Sequence, residues 1–174
     1  SLEELIKVLE NNNETVEMHF DRSKILFKYR NLLFQSRLLE GNYPETSKLV
    51  PTDFPIVIKF NKENLSTAIE RASLLSNRDG NNSIVKLALR QDNIVEISSN
   101  SPEIGKVLEE VYPVDQIEGS PIKIAFSSKY ILEALKVFNS SEVTINFTGE
   151  IRPFILKGEY DENMIQLILP VRTE

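Results

Sequence analysis

The feature that most constrains this chain is an internal repeat. Ile56-Val57-Ile58-Lys59-Phe60 is a strand-like run, and Ile122-Lys123-Ile124-Ala125-Phe126 restates it 66 positions later. At the same offset Leu65 falls on Ile131, Ile69 on Leu135 and Ala72 on Phe138. Each run leads into a stretch of helical periodicity, and each such stretch into three strand-like stretches. Residues 1–40 read as the same unit without its first strand, which makes roughly two and a half copies. A unit of this size cannot bury its apolar face alone and needs its neighbours. The chain is therefore expected to be cut from a longer one, with the absent part bearing on function.

Periodicity and turn residues place the elements. Leu2, Leu5, Ile6 and Leu9 form an apolar helical stripe over residues 1–10, stopped by Asn11-Asn12-Asn13. Val16, Met18 and Phe20 alternate, then Ile25, Phe27 and Tyr29, and Leu33 to Leu39 supplies a third strand. Residues 44–53, with Pro44, Pro51 and Asp53, read as a connector. The unit then restarts, with Asn61 as N-cap of a helix through Ser76 and a turn over Asn77–Asn82. Strands follow at Val85–Leu89 and Ile94–Ser98, and the repeat assigns a further strand to 103–114. The second copy runs through 122–126, a helix capped near Ser127, and strands at 143–147, 151–157 and 164–171. Helices flanked by hairpin-linked antiparallel strands make an α+β protein.

Composition narrows the chemistry. There is no cysteine, which excludes disulfides and thiolate-held zinc and suits a reducing cytoplasm. No apolar stretch reaches the length of a bilayer span, and no signal-type segment is expected at the start. The formal charge of −6 argues against nonspecific nucleic-acid binding, although it says nothing about single faces. The single histidine, His19, lies in an alternating strand with no second ligand nearby, so a structural role is expected. Glu109-Glu110 and Asp161-Glu162 read as solvated surface. There is no Gly-rich phosphate loop, no HExxH pair and no nucleophile elbow. No metal, cofactor or catalytic group is expected.

Four ordered motifs carry a resemblance. Ser36-Arg37-Leu38-Leu39-Glu40-Gly41-Asn42-Tyr43-Pro44, continuing to Lys48-Leu49-Val50-Pro51, resembles the link between the second and third domains of the bacterial sliding clamps, the beta subunits of DNA polymerase III. Arg71-Ala72-Ser73-Leu74-Leu75-Ser76 resembles the first helix of their third domain. Phe126-Ser127-Ser128-Lys129-Tyr130 resembles the start of its second helix, and Leu167 to Arg172 its C-terminal tail. The resemblance implies the DNA-clamp fold. Residues 1–52 would be the C-terminal half of the middle domain with its connector, and 53–174 the complete third domain. It further implies a non-catalytic processivity factor of the replicative polymerase, a ring-shaped homodimer that encircles double-stranded DNA in the cytoplasm. Such a piece is not expected to close a ring by itself.

The resemblance also assigns residues. A cleft for short linear peptides of polymerase III subunits, the clamp loader and other replication or repair proteins would use Pro44, Lys48 and Leu49 from the connector. Ser127 and Tyr130 come from the second helix, and Ile151 and Pro153 from a strand. Leu167, Ile168, Leu169, Pro170, Val171 and Arg172 come from the tail. An apolar groove suits a peptide bearing a Leu and an aromatic. Leu167 and Leu169 share a strand face and serve equally well as core. The opposite wall, with a Gly-His-Arg-Leu-like segment, has no counterpart here, so weakened docking is expected. Lys7, Arg71, Lys129 and Lys136 would face DNA from the helices, where glutamates nearly balance them. Leu74 and Leu75 would sit at the subunit interface, Leu75 continuing the stripe through Ala68 and Ala72. The alternative is a generic α+β protein-interaction module without a replication role.

Overall fold

Strand pairing explains why the repeat needs both of its copies. The computed structural model describes residues 2–9, 14–43, 45–76, 83–90, 92–101, 103–117 and 119–173. The expected turn over Asn77–Asn82, the stop at Asn11–Asn13 and Pro44 lie outside them. The chain divides into two units, Ser1–Glu45 and Thr46–Glu174.

The first unit is α1 (Leu2–Val8) followed by an antiparallel meander of β1 (Glu17–Phe20), β2 (Lys24–Tyr29) and β3 (Leu32–Arg37). The β1–β2 turn is set by Asp21, whose carboxylate accepts from the backbone N–H groups of Ser23 and Lys24 at 2.7 and 2.8 Å. Those N–H groups hold the Asp21 carboxyl below its usual range. Cross-strand register puts Met18, Phe27 and Phe34 in one row, and Phe20 and Ile25 share their face. Met18 and Phe20 nevertheless remain exposed on β1, the edge strand. β3 ends at Arg37, two residues short of the expected strand, and Leu39 is fully exposed.

The second unit opens with a short 3-10 turn (Thr46–Lys48), then β4 (Ile56–Asn61) and α2 (Lys62–Ser76). Asn61 caps α2 as expected, its Oδ1 accepting the Asn64 N–H at 3.0 Å. Next come β5 (Ile84–Leu89), β6 (Val95–Ser101) and β7 (Gly105–Val111). The second copy repeats this as β8 (Lys123–Ser127), α3 (Ser128–Lys136), β9 (Glu142–Phe147), β10 (Phe154–Gly158) and β11 (Gln166–Ile168). Ser127 holds the N-cap position of α3, yet its hydroxyl makes no capping bond.

Two four-stranded antiparallel sheets result, ordered β11-β10-β9-β4 and β7-β6-β5-β8. Each copy keeps its last three strands together and lends its first strand to the other copy. β4 pairs with β9 from Ile56 opposite Phe147, and β8 pairs with β5 from Ile84 opposite Ser127. Neither copy can complete a sheet alone. The core joins both sheets to α2 and α3, and Phe60, Phe126, Leu65, Ile131, Ile69 and Leu135 are all buried in it. Each such apolar side chain contributes about 2 kcal/mol.

Two expected strands are shorter than the apolar pattern suggests. β10 begins at Phe154, so Ile151 and Pro153 belong to the turn before it. Pro153 has no N–H to offer a ladder, and its carbonyl accepts from Thr148 Oγ1 at 2.9 Å. β11 spans three residues, and register places Ile168 opposite Phe154. Ile168 is thus the core residue of the tail, rather than Leu167 or Leu169.

Asp161 is no solvated acid either. It accepts from Ser140 Oγ at 2.6 Å, Ser140 N–H at 3.1 Å and Asn139 N–H at 3.3 Å, fixing the loop between α3 and β9. The Ser140 hydroxyl, before the other donors, holds its carboxyl below the usual range.

Candidate functional site

The connector and the β9–β10 turn bring some of the expected cleft residues together. A cavity of about 550 Å³ is lined by Lys48, Leu49 and Pro153, and also by Pro51, Thr148 and Arg152. Neither Arg152, which was expected within the strand 151–157, nor Thr148 carried a functional signal in the sequence. Ile151 lies beside them and is 66% exposed.

The tail is the second part. Val171 N–H donates to Ala125 O at 2.7 Å, which seats the tail along the free edge of β8. Pro170 and Val171 are half-buried there, while Leu169 and Arg172 remain exposed. Ser127 is buried at the end of β8, and Tyr130, on the first turn of α3, is 58% exposed. Leu167 is half-buried on the outer sheet face and Ile168 supports it from the core. The cavity and the tail share no lining residue.

One residue escaped the sequence reading. Val57, Asn146, Ile155 and Leu167 form a row across the outer face of the β11-β10-β9-β4 sheet. Asn146 is only 9% exposed, and its Oδ1 has no hydrogen-bond partner among the described residues. A buried acceptor left unpaired is destabilising. Asn146→Leu, of similar shape and better suited to a strand, is therefore expected to raise stability by about 1 kcal/mol. Urea unfolding reads the change, and a loss of stability would show that the amide does structural work.

The helix residues split into two kinds. Lys7 is ion-paired with Glu4 at 2.8 Å. Arg71 bonds Glu109 Oε2 through Nε and Nη2 at 2.9 and 2.7 Å, so its guanidinium is held against β7. Lys129 and Lys136 are exposed on α3 and make no ion pair among the described residues. α2 and α3 pack against each other, so both helices belong to one layer. Leu74 projects from α2 with 71% exposure, whereas Leu75 is half-buried on the stripe through Ala68 and Ala72. β7 is an edge strand with β6 as its partner, and Leu108 and Tyr112 are exposed along and just beyond it.

The Glu109-Glu110 pair is bound to cations, Glu109 to Arg71 and Glu110 to Arg90. Glu110 and Glu96 both accept from Arg90, which also contacts Asp92 at 2.7 Å. Lys59 lies between Glu142 and Glu159 at 2.6 and 3.2 Å, which raises its pKa, Glu142 most strongly. His19 is exposed beside Glu17 at 3.3 Å. Among the described residues, no group of three or more His, Asp or Glu side chains is placed to hold a metal ion. No helix among them is long and apolar enough to cross a membrane.

Comparison with known proteins gives a consistent result. The family model for the DNA polymerase III beta subunit, C-terminal domain, matches residues 47–172, and that for its central domain matches residues 1–45. The beta sliding clamp of Bacillus subtilis strain 168 is 50% identical over 173 residues, covering 99% of this chain and 45% of that protein. The beta sliding clamp of Staphylococcus aureus strain Mu50 is 45% identical with the same coverage. The crystal structure of the Bacillus subtilis DNA polymerase sliding clamp superposes with a TM-score of 0.87 over 99% of this chain and 45% of that one. The DNA polymerase III beta chain of Streptococcus pneumoniae gives 0.88 at 46% identity, again over 99% and 45%. The chain thus spans about half the length of the relatives it matches.

Proposed function

Because this chain belongs to the DNA polymerase III beta subunit family, we propose that it acts as part of a non-catalytic sliding clamp. It would confer processivity on the replicative polymerase in the cytoplasm and dock partners through linear peptides. The observation that carries this reading is the consecutive match of two adjacent domain models of one family, central then C-terminal, along residues 1–45 and 47–172. Residues 1–52 are read as the latter part of the middle domain, and 53–174 as the third.

The geometry supports the assigned roles in physical terms. A clamp holds DNA by enclosure rather than by tight contact. Weakly charged helices suit that task, and Lys129 and Lys136 are the cations left for phosphates once Lys7 and Arg71 are paired. Leu74 and the edge of β7 offer an apolar side chain and an unpaired ladder, the two components of a subunit contact between sheets. For peptides, the connector cavity supplies Leu49 and Pro153, and the tail supplies Val171 on a rigid strand edge.

Titration with a peptide of Gln-x-x-Leu-Phe type, followed by NMR, tests the docking role. Shifts are expected at Tyr130, Val171 and Arg172, with a Kd on the order of 10 µM or weaker. Val171→Asp should weaken binding about tenfold by placing a charge against an apolar ligand. Absence of any perturbation around the tail overturns the reading and favours an interaction module outside replication.

A further inference from the structure

The outer face of the β7-β6-β5-β8 sheet gathers three lysines around one cavity. Val85, Leu87, Ile97 and Ile124 point from these strands into the core beneath α2 and α3. Their alternating neighbours Lys86, Lys106 and Lys123 point the other way. The three lysines line one cavity of about 340 Å³, together with Ser98, Ala125 and Thr173. None of them forms an ion pair among the described residues, although the chain carries a net charge of −6. Three other cations of this unit are neutralised: Lys59 by Glu142 and Glu159, Arg71 by Glu109, and Arg90 by three carboxylates. Glu96, the acid that also lines the cavity, is engaged by Arg90 at 3.0 Å.

The cavity is continuous with the tail. Thr173 lines it, two residues beyond Val171, whose N–H is anchored on Ala125. Lys86 and Lys123 flank that anchor, since Ala125 pairs with Lys86 and Lys123 precedes it by two on β8. A peptide lying on the tail would therefore run onto the lysines at one of its ends. We infer that Lys86, Lys106 and Lys123 form an electrostatic subsite for an acidic segment flanking the docked peptide motif. This extends the peptide-docking reading above and rests on it. An acidic peptide fits better than DNA because these lysines face away from the α2 and α3 layer that would face the duplex. Three partly exposed pairs, each of modest strength, add up to about a tenfold gain in affinity, most of it lost at high salt.

The test compares three synthetic peptides by fluorescence anisotropy. They share a Gln-x-x-Leu-Phe core and carry neutral flanks, four aspartates before the core, or four aspartates after it. One acidic peptide should bind the 174-residue chain about tenfold tighter than the neutral one at low salt, and about equally at 0.5 M NaCl. The variant K86E/K106E/K123E should erase that advantage while binding the neutral peptide as before. Equal affinity for all three overturns the subsite and leaves the docking reading intact. No binding of the neutral peptide, at any salt, removes both. A duplex oligonucleotide that binds wild type and not the triple variant, with the acidic peptides showing no gain, reassigns the lysines to nucleic acid and overturns the inference.

Discussion

Replacing Phe154 with Ala should cost about 4 kcal/mol, a large share of the roughly 5–15 kcal/mol by which an ordinary domain is stable. Phe154 is fully buried, and its ring lies 5.6 Å from that of Phe126 and 5.2 Å from that of Phe147. Phe126 comes from β8 and Phe147 from β9, so the ring joins the two sheets. Its loss removes about 2 kcal/mol of apolar transfer, the tilted ring contacts, and the packing around a cavity that strands of two sheets cannot easily close. Phe154→Leu keeps most of the volume and should cost roughly half as much. Urea unfolding with tyrosine fluorescence measures both, and a shift in midpoint at unchanged slope is expected. A loss under about 1 kcal/mol for Phe154→Ala would show that the sheets are held elsewhere.

Gly158→Ala should be the next most damaging, at about 2 kcal/mol, although alanine is ordinarily the better strand residue. Gly158 ends β10 opposite Val143. A Cβ there would lie 2.8 Å from Ser140 Oγ and 2.9 Å from Phe138 Cδ1, and closer still to Asp161 Oδ2. That carboxylate cannot swing away cheaply, because Ser140 and Asn139 hold it from two directions. Placing the alanine in an Asp161→Ala background removes the principal clash. The two substitutions should then cost clearly less together than the sum of their separate effects. Strict additivity would show that the strain lies in the backbone instead.

The repeat was legible because burial recurs at matching places. Phe60 and Phe126, or Ile69 and Leu135, face one core in equivalent positions, and selection for similar bulk there leaves a trace at a fixed offset. The loan of first strands left no such trace. Pairing β4 with β9 rather than with β5 is a nonlocal choice, and periodicity records which face a residue takes, not which strand lies beside it. The tail shows the same limit at smaller scale. Leu167-Ile168-Leu169 is apolar on both faces, so alternation alone could not tell core from surface, and the register with Phe154 decided it. Polar side-chain contacts were likewise hidden. Arg71 meets Glu109, and Asp161 meets Ser140, across separations that only the fold closes. The cleft residues came from motif resemblance, and their local chemistry would not have singled out Ser127 or Lys48. Arg152, in a turn expected to be strand, had no signal of either kind.

The loaned strands also set a schedule for synthesis. β8 emerges from a ribosome to find β5 already made and waiting, so one sheet can close at once. β4 has no such luck. Its partner β9 follows only after α2, three more strands, β8 and α3 have been translated. At about 10 residues per second that delay is roughly eight seconds, during which Ile56, Ile58 and Phe60 have an unfilled edge on both sides. The nascent chain is thus most vulnerable to aggregation, and most in need of a chaperone, during an interval dictated by topology rather than by composition.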